Sequence, residues 1–233
     1  DFYIDPALEV ETLKTETHSD YRIVLKGYDQ EKGGGYIPIK DLEGNLNGIE
    51  MWNSTIPRIF QTLYDISSPV RMVFQDKLSY EDFPYEKEHQ YNLIIEVSEN
   101  YHYSWKQLGI DFLNQYFDIN ARMAVDSLEC FVLKNNENVL KESTHVETEY
   151  TFRGPILNTR KIKMAKLIAY LENFTSFPVY DQTKLVGEYD IDLEWQFENP
   201  ATLHSELARY GLLLERYEKK LPVEVMEIYK KQR

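Results

Sequence analysis

The chain has 233 residues, 42% of them hydrophobic and 14% aromatic, which is enough apolar material for one sizeable core or two small ones and too much for a disordered segment. A formal charge of −13 argues against non-specific nucleic-acid binding and attraction to anionic lipid, both of which need clustered Lys and Arg. No apolar run approaches the roughly 20 residues that span a bilayer, and the single cysteine, Cys130, excludes an internal disulfide and a CxxC redox pair. The chain opens Asp1-Phe2-Tyr3, without an initiating Met or a signal peptide, and reads as a piece trimmed from a longer polypeptide.

Residues 1–45 read as an N-terminal β arm of short extended pieces. Tyr21–Tyr28 is its clearest strand, and Tyr36–Ile39 is a second, placed at an edge by Pro38, which cannot donate to a ladder. Gly33-Gly34-Gly35 lacks the Gly-Lys-Ser/Thr ending and the following helix of a phosphate cradle, so a flexible hairpin loop is expected there.

Beyond the arm, one plan runs twice, over 46–134 and 148–233, with the polar run that begins Asn135-Asn136-Glu137 as a connector over 135–147. Ser67-Ser68-Pro69-Val70 is similar to Thr175-Ser176-Phe177-Pro178-Val179, and each follows an amphipathic helix. The apolar stripes are Ile56, Ile59, Phe60 and Leu63 in the first helix and Met164, Leu167, Ile168 and Leu171 in the second. Tyr91–Val97 then matches Tyr189–Trp195 as a strand. Second helices follow, with Trp105, Leu108, Phe112 and Tyr116 on one core-facing stripe and Leu203, Leu207 and Tyr210 on the other. Each half closes on an expected hairpin, Phe117–Lys134 and Leu212–Lys231. The fold class is therefore α+β: two pseudo-repeats of β-α-β-β-α-β-β, with helices packed on antiparallel sheets. The first half carries an insertion, Gln75–His89, that reads as a loop of the length often used for function. Cys130, mid-strand among apolar neighbours, reads as a buried inert thiol.

Phe177–Trp195 is the most informative stretch. Tyr189, Ile191, Leu193 and Trp195 alternate with Asp190, Asp192 and Glu194, the period-two pattern of a half-buried strand, and Asn199 and Pro200 follow as cap and first residue of a helix. Pro178-Val179, Asp181, Thr183, Leu185, Gly187, Tyr189-Asp190, Leu193 and Trp195, continued by Tyr210–Glu215 and Pro222–Ile228, resemble the C-terminal signature of a soil-associated bacterial family catalogued as domain of unknown function 3738. Lys184 stands where that family usually has Gly, so a different turn geometry is expected there. The resemblance implies an extracytoplasmic bacterial domain, periplasmic or on the cell surface, whose relatives sit beside thioredoxin-like or membrane-sensor peptidase domains. It implies no catalytic residue.

The constellations that could carry chemistry have simpler readings. Asp190, Asp192 and Glu194 lie roughly 7 Å apart per step along a strand, which suits a solvated face better than the curved loop of a calcium site. The five histidines lack paired-ligand spacing, and neither a cofactor nor a metal is expected. One departure stands out in an acidic chain: Arg153, Arg160, Lys161, Lys163 and Lys166 crowd around a helix start, a candidate site for an anion or an acidic partner. The leading expectation is a non-enzymatic accessory or interaction domain of the bacterial cell envelope. The alternatives are a hydrolase on an envelope polymer, with acids from Tyr80–His89, and a peptide- or ligand-binding module using a free sheet edge.

Overall fold

The computed structural model describes residues 20–101, 104–136 and 139–231; residues 1–19 of the expected arm lie outside it. Among the described residues, eleven strands and four α-helices follow in order: β1 (Tyr21–Lys26), β2 (Gly35–Lys40), β3 (Leu46–Ser54), α1 (Ile56–Leu63), β4 (Met72–Phe74), β5 (Tyr91–Val97), α2 (Trp105–Tyr116), β6 (Ile119–Asn135), β7 (Glu149–Arg153), β8 (Ile156–Arg160), α3 (Met164–Leu171), β9 (Val179–Asp181), β10 (Asp192–Glu194), α4 (Ala201–Ala208) and β11 (Leu212–Lys230). The class is α+β. From β3 and again from β8, the order β-α-β-β-α-β runs once.

The pairings repeat as well. One sheet has the order β1-β5-β3-β2 and another β10-β8-β7, so β2-β3-β5 in the first half corresponds to β7-β8-β10 in the second, all antiparallel. A third sheet has the order β4-β11-β6-β9, with β4 parallel to β11 and β9 parallel to β6. The closing strand of each sequence half thus pairs with the short strand of the other half. Where a hairpin is expected, β6 and β11 are each one unbroken strand of 17 and 19 residues. Neither stretch contains a Gly, Asn-Gly or Asp-Gly to supply the positive φ of a tight turn, and Pro222 lies inside β11 without ending it.

The chain divides into two compact units. Among the described residues, one takes 20–66, Met72–Ala124 and 225–231; the other takes Ser67–Arg71 and Val125–Glu224. The first has a core of Leu93 and Ile95 from β5, Ile59, Phe60 and Leu63 from α1, Leu113 from α2, and Met226 and Ile228 from β11. The second is built around Leu157, Leu167, Leu171, Ile191, Leu193 and Leu207.

Several expectations shift by local chemistry. Gly33-Gly34-Gly35 makes no hairpin, because β5 and β3 stand between β1 and β2, which form the two edges of their sheet. The buried stripe of α2 is Trp105, Gly109, Ile110 and Leu113, while Leu108, Phe112 and Tyr116 are only partly buried. Gly109 turns the helix inward: a Cβ there would lie 2.2 Å from Ile95 Cδ1, so a bare backbone is what lets α2 press on β5. Around 189–195, burial keeps period two, with Tyr189, Ile191, Leu193 and Trp195 all at most 6% exposed. Asp192–Glu194 forms the strand and Tyr189 an isolated backbone bridge with Ile162, while between them a side chain takes over the backbone bonds of Ile191: Thr159 Oγ1 accepts from Ile191 N–H and donates to Ile191 O. Helix α4 has Pro200 rather than Asn199 at its cap. Pro69-Val70 sits in a 3-10 turn before β4, whereas Val179 opens β9, so that likeness runs two residues out of register with the strands.

The same geometry recurs where each half enters its first helix. Asn53 and Lys161 both take positive φ, 43° and 55°, and the N–H of each donates to a side chain of the matching stretch, Asn92 Oδ1 within β5 at 3.2 Å and Asp190 Oδ1, two residues ahead of β10, at 2.9 Å. Lys184 likewise keeps the left-handed conformation, at φ 60°, so the turn retains a glycine-like geometry without the glycine.

Candidate interaction site

Helix α3 and the β7–β8 hairpin position all five basic residues in the second unit. Arg160 ends β8, Lys161 is the left-handed residue after it, Lys163 is the N-cap of α3, Lys166 lies in its first turn, and Arg153 ends β7. Two of the five are already engaged. Arg160 Nη1 donates to both carboxylate oxygens of Asp192, at 2.8 and 2.9 Å. Lys161 Nζ donates to Val146 O at 2.9 Å and lies 3.9 Å from Glu188.

The acidic face of the strand is therefore ionically occupied rather than simply solvated. Desolvation works against ionisation of Asp190. Hydrogen bonds from Ser143 and the Lys161 N–H, with His145 and Arg160 nearby, outweigh it and hold the carboxyl below the usual range. The bond to Asp192 correspondingly holds the proton on Arg160 more tightly.

What remains is a cationic edge beside aromatic rings. Arg153, Lys163 and Lys166 are exposed, and among the described residues none of them forms an ion pair; the Lys166 ammonium lies 5.8 Å from the Tyr150 ring centroid. Tyr150 contacts Phe152, Phe152 contacts Tyr170, Tyr170 contacts Phe174, and Phe174 meets both Trp195 and Phe197, with centroids 5.0–5.9 Å apart and mostly edge-on. Trp195 Nε1–H donates to Tyr170 Oη at 2.8 Å, so its polar handle is satisfied on α3 rather than on the helix that follows it. This chain of rings ends in solvent: Phe152 is 50% and Phe197 51% exposed. Gly154 makes the turn under Phe197 possible, at φ 56° and with the ring 3.3 Å from where a Cβ would be.

Sequence reasoning found the five cations and missed Phe152 and Phe197. The available signal was the alternation Glu149-Tyr150-Thr151-Phe152-Arg153, which puts both aromatics on one strand face and the polar residues on the other. Strand β7 ends its sheet, and among the described residues no strand lies on its outer side. The equivalent edge of the first unit, β2, contains Pro38.

Other candidates resolve differently. Cys130 is fully buried, and burial raises its thiol pKa, the setting of an unreactive sulfur. In the Gln75–His89 insertion, Asp82 Oδ2 accepts from the N–H and Oγ of Ser79, so it closes a capping box. No helix among the described residues is long and apolar enough to cross a membrane.

No curated protein and no solved structure matches the chain. A family match runs from the start of α2 to the first residues of β11, taking in the β7–β8 hairpin, α3 and the Pro178–Trp195 signature and leaving Pro222–Ile228 outside. Residues 105–214 match the model of a family described as a protein of unknown function (DUF3738).

Proposed function

We propose that this chain is a non-enzymatic interaction and assembly module of a bacterial cell-envelope protein, an accessory to other domains of its polypeptide such as a thioredoxin-like one. The observation that carries the reading is the pairing of unneutralised cations, Arg153, Lys163 and Lys166, with half-exposed Phe152 and Phe197 on a chain that is otherwise acidic. Exposed aromatics flanked by cations are the composition of binding surfaces, where rings supply contact area at low entropic cost and charge selects the partner. Asp82, Asp190 and Asp192 are engaged in local structure: Asp82 caps with Ser79, Asp190 accepts from the Lys161 N–H, and Asp192 pairs with Arg160. The extracytoplasmic address rests on the resemblance of the Pro178–Ile228 signature to its family.

Capture of envelope proteins from a bacterial extract by immobilised protein tests the proposal. Lys163→Glu with Lys166→Glu should abolish capture while leaving the circular dichroism spectrum unchanged. Capture that survives the double reversal, or reproducible turnover on a panel of polymers and esters, overturns it.

A further inference from the structure

The free edge of β7 is complementary to itself. Laid antiparallel against a second copy about Thr151, the segment Glu149-Tyr150-Thr151-Phe152-Arg153 puts Glu149 opposite the other copy's Arg153, Tyr150 opposite Phe152 and Thr151 opposite Thr151. Opposite charges, aromatic pairs and Thr pairs are each favourable directly across an antiparallel ladder. Both charged pairs fall on one face, because residues 149, 151 and 153 alternate with the ring-bearing positions. The geometry points to self-association of this chain through β7, joining two β10-β8-β7 sheets into one six-stranded sheet across a twofold axis.

Three features of the structure fit this pairing. The strand is at an edge, and its five residues include no Pro, so every backbone N–H on the outer side can donate. Its exposed residues are Glu149, Thr151, Phe152 and Arg153, with Phe152 half uncovered beside the neighbouring strand position. The charges also continue an existing pattern: Asp192 holds Arg160, Arg160 stands opposite Glu149 in the β7–β8 register, and the second copy's Arg153 comes next, giving alternating signs across the sheet. The equivalent edge in the first unit offers no such match, since β2 reads Gly35-Tyr36-Ile37-Pro38-Ile39-Lys40 and its Pro38 removes a donor. Arg153 and Phe152 are shared between self-pairing and the surface proposed for an envelope partner, whereas Lys163 and Lys166 take no part in the ladder and belong to partner capture alone. A five-residue ladder is a small interface, and the net charge of each copy opposes association, so a concentration-dependent dimer is expected, strengthened by salt that screens the long-range repulsion.

Analytical ultracentrifugation of the purified chain over a dilution series decides the matter. The wild-type chain should sediment as a monomer–dimer equilibrium. Arg153→Glu sets two carboxylates against each other at both ends of the ladder, and Glu149→Arg sets two cations there, so each variant alone should be monomeric. Mixed together the two should form a heterodimer, and Glu149→Arg with Arg153→Glu in one chain should dimerise again. A wild-type chain that stays monomeric at every concentration overturns the inference, as does dimerisation that either single reversal leaves intact. Envelope capture dependent on Lys163 and Lys166 would stand in both cases, which separates failure here from failure of the interaction reading.

Discussion

Replacing Arg71 by Met should destabilise the protein by about 3–5 kcal/mol, the cost of leaving a buried carboxylate without its cation. The Glu172 side chain is 0% exposed and that of Arg71 19%. Arg71 Nε donates to both oxygens of Glu172, at 2.8 and 2.9 Å, and Nη2 lies 2.7 Å from Oε1. The same guanidinium donates to Val179 O and Glu224 O, while Ser67 Oγ and Val179 N–H complete the shell around the carboxylate. Met preserves the apolar stem and removes every donor of the fork, leaving Glu172 with two neutral partners. Against a total stability of about 5–15 kcal/mol the loss is large, and at roughly 2–4 °C per kcal/mol it should lower the melting temperature by about 10 °C. Urea unfolding followed by tryptophan fluorescence measures it. A companion variant tests the cause: Arg71→Met with Glu172→Met removes both charges and should recover most of the loss, because a buried pair replaced by apolar groups is often neutral. A single-variant effect below about 1 kcal/mol, or a double variant as unstable as the single, would refute the assignment.

Three other outcomes follow from local geometry. Lys184→Gly should raise stability by about 0.5–1 kcal/mol in the same assay, since a left-handed φ of 60° costs a lysine more than ordering a glycine does. Trp195→Phe keeps the edge-on ring contacts but strips the hydrogen bond to Tyr170, leaving that hydroxyl unpaired by its indole donor, and should cost about 1–2 kcal/mol against about 3–5 for Trp195→Ala. Burial first, then the neighbouring Tyr229 and Asp111, push the Tyr64 hydroxyl up to about 12 from an ordinary value of 10.0, consistent with its 2.7 Å bond to Ala121 O. A pKa raised by folding adds stability that is complete below pH 10 and is lost as pH climbs towards 12, so unfolding free energy should fall across that window. Tyr64→Phe should flatten the fall, and an unchanged slope would count against it.

The sequence by itself determined the elements that depend on local pattern. The stripes of α1 and α3, the period-two burial of Tyr189–Trp195, the edge position of the strand with Pro38 and the inert burial of Cys130 follow from spacing, β-propensity and a missing N–H, all of which act within a few residues. The repeated order of elements was legible for the same reason, as was the crowding of five basic residues near one helix start. Tertiary structure decided what those pieces meet. No local signal says that β6 pairs with β9 and β11 with β4, because strand partners are chosen by which edges and apolar faces the whole chain brings together. Nor does it say that Arg160 and Lys161 are neutralised by Asp192 and Glu188 while Lys163 and Lys166 are left over, since charges separated by dozens of residues become neighbours only when the sheet sets their register. The α2 stripe shifted for a similar reason: Gly109 has no hydrophobicity to register in a periodic pattern, yet its missing side chain fixes the face that Ile95 can reach.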